Sequence, residues 1–285
     1  NFNIIGVYTQ PPRPKGRGLK TTKSEVHNNA QKCNIPISHP ENFLDKQTID
    51  NFIALKPDLV IVMAYGILLP ENILNIPKFG FINIHISLLP RWRGASPVEY
   101  TLLNGDKETG VTIFKLTDKL DSGPIINQNK IKIDNDSNKE EIFIKLNNLG
   151  KEMLIKTLPV YFSNKIILKE QNEKNSTYAP KISAAITKIN FNQSIEDVFN
   201  QIKAFAPKPG AWFYFKNERI KIICCKKINT DSKPSLITNN NFHIGCNDGE
   251  IVPLIIQREG KKPLKIHDFL RGFNFSIGEK VNEQI

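Results

Sequence analysis

The stretch Phe81–Pro97, FINIHISLLPRWRGASP, decides the fold. It opens as a strand, because Phe81, Ile82, Ile84 and Ile86 are apolar and β-favouring. Asn83 and His85 interrupt the run at a spacing of two, so both side chains leave the same face, about 6–7 Å apart along the backbone. A strand buried in a parallel sheet normally reads as a near-continuous apolar run. An amide and an imidazole side by side at the end of such a strand therefore need a reason, and in open α/β sheets that end is where ligands bind. A loop, Ser87-Leu88-Leu89-Pro90, and a basic turn, Arg91-Trp92-Arg93-Gly94, come next. Ser96 as N-cap, Pro97 at the first helical position and Glu99 three residues after Ser96 predict a capping box and a helix through Leu103, ending near Gly105. Taken singly, His85 reads as a core histidine and Asn83 as a loop-side amide. The pair at a strand end turns the reading toward chemistry.

Outward from this stretch the chain alternates strand and helix patterns. Ile4–Thr9 reads as a short buried strand, and Gln10–Lys20 as a proline- and glycine-bearing basic loop with Arg13, Lys15, Arg17 and Lys20. Helices are predicted over 22–32 and 43–55, a short strand over 35–37, a fully buried strand over 59–64 ending at Tyr65-Gly66, and a short helix over 70–74. Strands follow at 111–116 and 124–133, separated by the turn Asp118–Gly123. Ser137–Phe162 reads as a long amphipathic helix with a Ser137/Glu140 capping box. Such alternation means βαβ units and a Rossmann-like, mostly parallel sheet in an α/β domain. Residues 164–182 are polar and strand-poor, a linker. Short strands beyond it, at 212–215, 220–225, 242–245 and 250–256, predict a small β-barrel. The expected division is 1–163, linker 164–182, and 183–285.

The 285 residues are 40% hydrophobic and carry a formal net charge of +11, which points to a polyanionic partner such as nucleic acid. Heavy use of Lys, Asn and Ile throughout offers a compositional alternative for that charge. No apolar run reaches the ~18 residues of a membrane span, and the N-terminus has no signal-peptide pattern. Cys33, Cys224, Cys225 and Cys246 show no C-x-x-C spacing, which argues against structural zinc and for a reducing, cytoplasmic setting. There is no glycine-rich phosphate loop and no metal-ligand cluster.

Asn83-x-His85 followed by Ser87-Leu-Leu-Pro-Arg-Trp-Arg-Gly-Ala-Ser-Pro97 resembles the signature of the 10-formyltetrahydrofolate-dependent formyltransferases, and the likeness extends over nearly the whole chain. In that family an L-D-x-G turn, matched by Leu120–Gly123, supplies an aspartate, so the resemblance implies a catalytic triad of Asn83, His85 and Asp121. It also implies a folate co-substrate along Ser87, Leu88, Leu89 and Pro90, with Tyr65 and Gly66 lining the pocket, and no metal. The loop bearing Arg13, Lys15, Arg17 and Lys20 resembles the one with which the tRNA-directed branch enters the acceptor arm. Phe205–Phe213 resembles the entry to the family's C-terminal OB-like domain, and the lysines at 203, 208, 216, 221, 226, 227, 261, 262 and 265 are expected to form an RNA-backbone surface there. The implied acceptor is initiator methionyl-tRNA, and a monomer is expected. Two departures are Lys23–His27, where the family carries prolines and a lysine, and Ile86, at a position usually small or Pro. The family also places a strand, a glycine turn and a helix before the first residue here, so an N-terminally truncated chain is expected.

The chemistry is acyl transfer to an amine. Asn83 and protonated His85 are candidate donors to the developing oxyanion, and Asp121 orients His85 and helps to carry off the amine proton; His85 as the base is the alternative. Rival readings are formyl transfer to an amino-sugar nucleotide or other small amine, and an RNA-binding module with a decayed catalytic domain. The basic 13–20 loop argues against the first and the intact triad against the second.

Overall fold

The structure is a computed structural model that describes residues 2–15 and 18–282, without the Lys15 side chain. The expectation for Arg17 lies outside the described residues. In chain order the elements are β1 (Val7–Tyr8), β2 (Arg13–Lys15), β3 (Lys20–Thr22), α1 (Glu25–Lys32), β4 (Ile37–Ser38), α2 (Lys46–Ala54), β5 (Val60–Val62), α3 (Glu71–Leu74), β6 (Phe81–His85), α4 (Pro97–Leu103), β7 (Glu108–Lys115), β8 (Ile125–Lys132) and α5 (Lys139–Phe162). There follow α6 (Ile195–Phe205), β9 (Ala211–Phe215), β10 (Glu218–Ile228), β11 (Ile244–Gly245), β12 (Glu250–Arg258), β13 (Leu264–Lys265) and α7 (Ile266–Leu270). The chain forms two compact units, Asn1–His85 with Thr112–Gln128 and Glu152–Asn172, and Ile86–Val111 with Asn129–Lys151 and Glu173–Ile285.

In the first unit β1 pairs with β4 and β5 with β6, both parallel, while β7 runs antiparallel to β6 with His85 opposite Thr112. The sheet order is β5-β6-β7-β8. Phe43, Phe52, Ile73, Leu74 and Phe81 make a core cluster, with Tyr8, Val62 and Tyr65 packed on it. Side-chain caps start the helices as their residue types predict. Ser24 accepts from the His27 amide at 3.0 Å and Asp45 from the Thr48 amide at 2.8 Å, each cap worth about 1 kcal/mol.

Several expectations are corrected. Ser96 begins α4 without a side-chain cap, and Glu99 pairs with Lys139 at 3.3 Å instead of closing a box. The box on α5 is shifted by one residue: the Asn138 amide donates to Glu141 at 3.0 Å, and the Glu141 amide donates to the Asn138 side chain at 3.1 Å. β5 is not fully buried, because it is the edge of its sheet, and Ile61 is 44% exposed. Ile4 and Ile5 are likewise exposed and outside any strand. The basic loop contains a hairpin, β2 against β3, with Lys15 opposite Lys20.

The second unit holds α6 and a curled antiparallel sheet of order β11-β12-β10-β9, with β13 on β12. The β10–β12 register shifts around Cys224 and Cys225, an irregularity that bends and twists a strand. Phe242 sits amid Phe213, Phe215, Phe269, Phe273 and Phe275, all within ring-contact distance. Helix α6 was not anticipated from sequence, although its signals are there. Ser194 accepts from the Asp197 amide at 3.1 Å, and Ile195, Val198, Phe199, Ile202 and Phe205 are buried at helical spacing.

Candidate active site

His85 is the last residue of β6 and is buried, with 7% of its surface exposed. Phe114 of β7 meets its ring edge-on at 6.4 Å between centroids. Asn83, half-buried, lies opposite Phe114 in the register, two residues back along the same strand. Opposite His85 stands Thr112, whose hydroxyl accepts from the Gln128 amide at 2.8 Å. Sequence reasoning missed Thr112 and Gln128; the available signal was one hydroxyl within the buried apolar run of β7.

Asp121 arrives from the turn after β7. It is buried, and its Oδ2 lies 3.7 Å from His85 Nδ1. Its backbone takes the left-handed region at φ 47°, a conformation that costs free energy outside glycine and that concentrates at functional sites. The turn is stitched down on either side. The Lys115 amide donates to the Pro124 carbonyl at 2.9 Å, and a Cβ at Gly123 would run into the Lys115 carbonyl. The side-chain amide of Gln171 donates to the carbonyls of both Asp121, at 2.9 Å, and Gly123, at 2.8 Å.

Tyr65 and Gly66 follow β5. The Tyr65 hydroxyl is buried, and burial first, then the neighbouring Tyr8, pushes its pKa up to about 12. The Tyr65 carbonyl accepts from Gln10 Nε2 at 2.8 Å, and Gly66 turns at φ 70°.

The loop Ser87–Pro90 belongs to the second unit. Ser87 is buried and its hydroxyl donates to the Arg91 carbonyl at 2.6 Å; Leu89 is buried, Leu88 and Pro90 partly so. Arg91 stacks over Trp92 at 4.4 Å and grips Asp106 through two nitrogens, at 2.9 and 2.7 Å. Burial works against the Asp106 carboxylate, yet donors from Arg91, Trp92 and Asn104 hold its pKa below the usual range. Arg93 is only 2% exposed and makes a bidentate pair with Glu173 at 2.9 and 2.8 Å. Both arginines of the basic turn are thus tied into the protein. Backbone bonds from Arg93 to Thr177 and from Ala179 to Arg93, at 2.8 and 2.7 Å, fasten the same loop.

Of the basic residues, Arg13 and Lys20 are exposed on the β2–β3 hairpin. Several C-terminal lysines are engaged within their own unit: Lys203 on the Asn135 carbonyl, Lys216 on Glu279, Lys221 on the Pro209 carbonyl and Lys227 on Glu196. Lys208, Lys226, Lys261, Lys262 and Lys265 are exposed. Among the described residues no cluster of three or more His, Cys, Asp or Glu side chains could hold a metal ion, and no helix is long and apolar enough to cross a membrane. All four cysteines are free thiols.

Comparison with known proteins identifies the family. The family model described as formyl transferase matches residues 1–158, and the one described as formyl transferase, C-terminal domain, matches 181–274. The methionyl-tRNA formyltransferase of Wolbachia sp. subsp. Drosophila simulans is 41% identical over 280 residues, 98% of this chain and 92% of the relative. That of Pelagibacter ubique is 39% identical over 283 residues, 99% of this chain and 91% of the relative. Among solved structures, WlaRD, a sugar 3N-formyl transferase crystallised in the presence of dTDP and 5-N-formyl-THF, superposes with a TM-score of 0.60 at 22% identity, covering 84% of this chain and 83% of WlaRD. With an Asn-x-His strand end, an aspartate brought to the histidine, and both family domains matched, the chain belongs to the formyl transferase family, in its methionyl-tRNA formyltransferase branch.

Proposed function

We propose that the protein transfers the formyl group of 10-formyltetrahydrofolate to the α-amino group of methionyl-initiator-tRNA, yielding N-formylmethionyl-tRNA for translation initiation in the cytoplasm. The observation that carries the reading is the buried His85–Asp121 pair at the end of the Asn83–His85 strand. The donor set fits the reaction: an amide and an imidazole for a carbonyl oxygen, and a carboxylate for the charge on the imidazole. Near-full-length identity to methionyl-tRNA formyltransferases supports the acceptor. So does the exposure of Arg13 and Lys20 on the β2–β3 hairpin, where both cations are open to an anion.

The folate supplies an activated formyl carbon. A free α-amino group has a pKa of about 7.7–8.0, so a useful fraction is neutral near pH 7 and attacks without a covalent nucleophile. The formyl oxygen gains negative charge as the new C–N bond forms. Asn83 and His85 donate hydrogen bonds to it, each such donor being worth about 3–4 kcal/mol in a preorganised site. Asp121 fixes the ring of His85, stabilises its charged form, and relays the proton lost by the amine toward the leaving folate nitrogen. Ser87–Pro90 supplies backbone groups and leucines to the folate, with Tyr65 and Gly66 at the neighbouring strand end. Arg13, Lys15, Arg17 and Lys20 hold the acceptor arm. Residues 1–163 carry the transfer, 164–182 connect, and 183–285 add RNA-backbone contacts; the protein acts as a monomer and without a metal.

The test is formyl transfer from 10-formyltetrahydrofolate to charged initiator tRNA, with free methionine and an amino-sugar nucleotide as rival acceptors. Transfer to the charged tRNA alone is expected. Transfer to the sugar amine alone would keep the triad and overturn the acceptor.

A further inference from the structure

We infer that Gln171, in the polar segment after α5, is a positioning residue for the His85–Asp121 pair; the inference rests on the roles proposed for those two residues. Three observations converge. First, an antiparallel bridge between Ile125 and Lys169, with bonds of 2.8 and 2.9 Å, lays this segment beside the start of β8 and delivers Gln171 two residues further on. Second, one Gln171 amide nitrogen donates to the carbonyls on both sides of Ser122, those of Asp121 and Gly123. Third, the carbonyl it holds belongs to a residue kept in the left-handed region, and the turn cannot settle elsewhere cheaply because Gly123 lies against the Lys115 carbonyl. The Asp121 carboxylate is 3.7 Å from His85 Nδ1, so a shift of this turn would change the distance between the two groups directly. A side chain fifty positions away in sequence thereby pins the backbone from which the carboxylate is presented. Nothing about its type advertises this, since the two acceptors it holds at this turn are backbone oxygens.

The test uses Gln171→Met, which keeps the side-chain volume and removes both donors, and Gln171→Glu, which keeps the length and sets a carboxylate against two carbonyls. Steady-state kinetics with folate donor and charged tRNA are combined with ¹⁵N spectra of the imidazoles, His85 being assigned by comparison with His85→Gln. We expect kcat to fall by about tenfold to a hundredfold from misplacement of the pair. KM for both substrates should stay within about twofold, as for a contact that serves orientation and not binding. The His85 ring nitrogen signals should move while those of His243 stay. An unchanged kcat in either folded variant overturns the inference. So does a fall in kcat with His85 signals in place, which would mark Gln171 as merely structural. Should the unaltered protein transfer no formyl group, the functional reading fails, and the movement or stillness of the His85 signals alone decides the role of Gln171.

Discussion

At the scale of single residues, the separation of 3.7 Å between His85 and Asp121 is long for a hydrogen bond, and contacts of this kind often tighten only when substrate is bound. His85→Ala and Asp121→Ala should each lower kcat/KM by about a thousandfold without loss of fold, read by kinetics beside circular dichroism. Asn83→Ala should cost about 3–4 kcal/mol of transition-state stabilisation with little change in KM. The thiols make a separate test. Cys33 is exposed, whereas burial pushes the Cys246 thiol up to about 12 and Cys225 still higher. A disulfide reagent at pH 8 should therefore modify the exposed Cys33 rapidly and the buried Cys246 only after unfolding, because the thiolate is the reacting form. The Asn83–His85 spacing was legible from sequence because strand alternation is local. Asp121 was not, since Asp-Ser-Gly alone is a turn signal, and it was assigned through family resemblance. Thr112, Gln128 and Gln171 stayed hidden because their partners are distant in sequence and, for Gln171, the two acceptors at the Asp121 turn are backbone atoms.

At the scale of elements, residue type predicted where helices begin more reliably than which side chain caps them. Ser96 and Glu99 have the spacing of a capping box, but Lys139 captures Glu99 in an ion pair, which no local pattern can foresee. The expected burial of β5 failed for a similar reason: an apolar run does not say whether a strand is central or at an edge. The loop after β6 has a sharper energetic signature. Arg93 is almost wholly enclosed, while its partner Glu173 is 66% exposed along its side chain. Removing Glu173 takes two charge-assisted hydrogen bonds from a buried guanidinium that keeps Tyr178 as a partner, so Glu173→Ala should lower stability by about 1.5–3 kcal/mol, measured by denaturant unfolding. A surface ion pair would be worth under about 1 kcal/mol in the same measurement.

At the scale of the whole molecule, the formal net charge of +11 is unevenly informative. Lys203, Lys216, Lys221 and Lys227 are occupied by groups of their own unit, so they contribute field but are not open phosphate contacts. The β2–β3 hairpin is the better candidate. Replacing Arg13, Lys15, Arg17 and Lys20 together by alanine should flatten the log–log salt dependence of tRNA binding by roughly 3, at about 0.7–0.9 for each phosphate that is no longer neutralised. Transfer to a small amine, where detectable, should be untouched. The shift from strand–helix alternation to short strands was legible in the sequence, although α6 ahead of those strands was overlooked, and the two compact units interleave along the chain in a way no local pattern shows.

The segment between the matched family regions also bears on how such proteins can be dissected or recombined. Lys169 is hydrogen-bonded to Ile125 at the start of β8 and Gln171 to the turn around Asp121, while Glu173, Thr177 and Ala179 are bonded to the loop around Arg93. A catalytic half excised at residue 163 would leave behind the very side chains that brace its chemistry, and chimeras between relatives joined there would inherit mismatched braces. Limited proteolysis should spare this stretch despite its polar composition, and a viable crossover point should lie beyond residue 179.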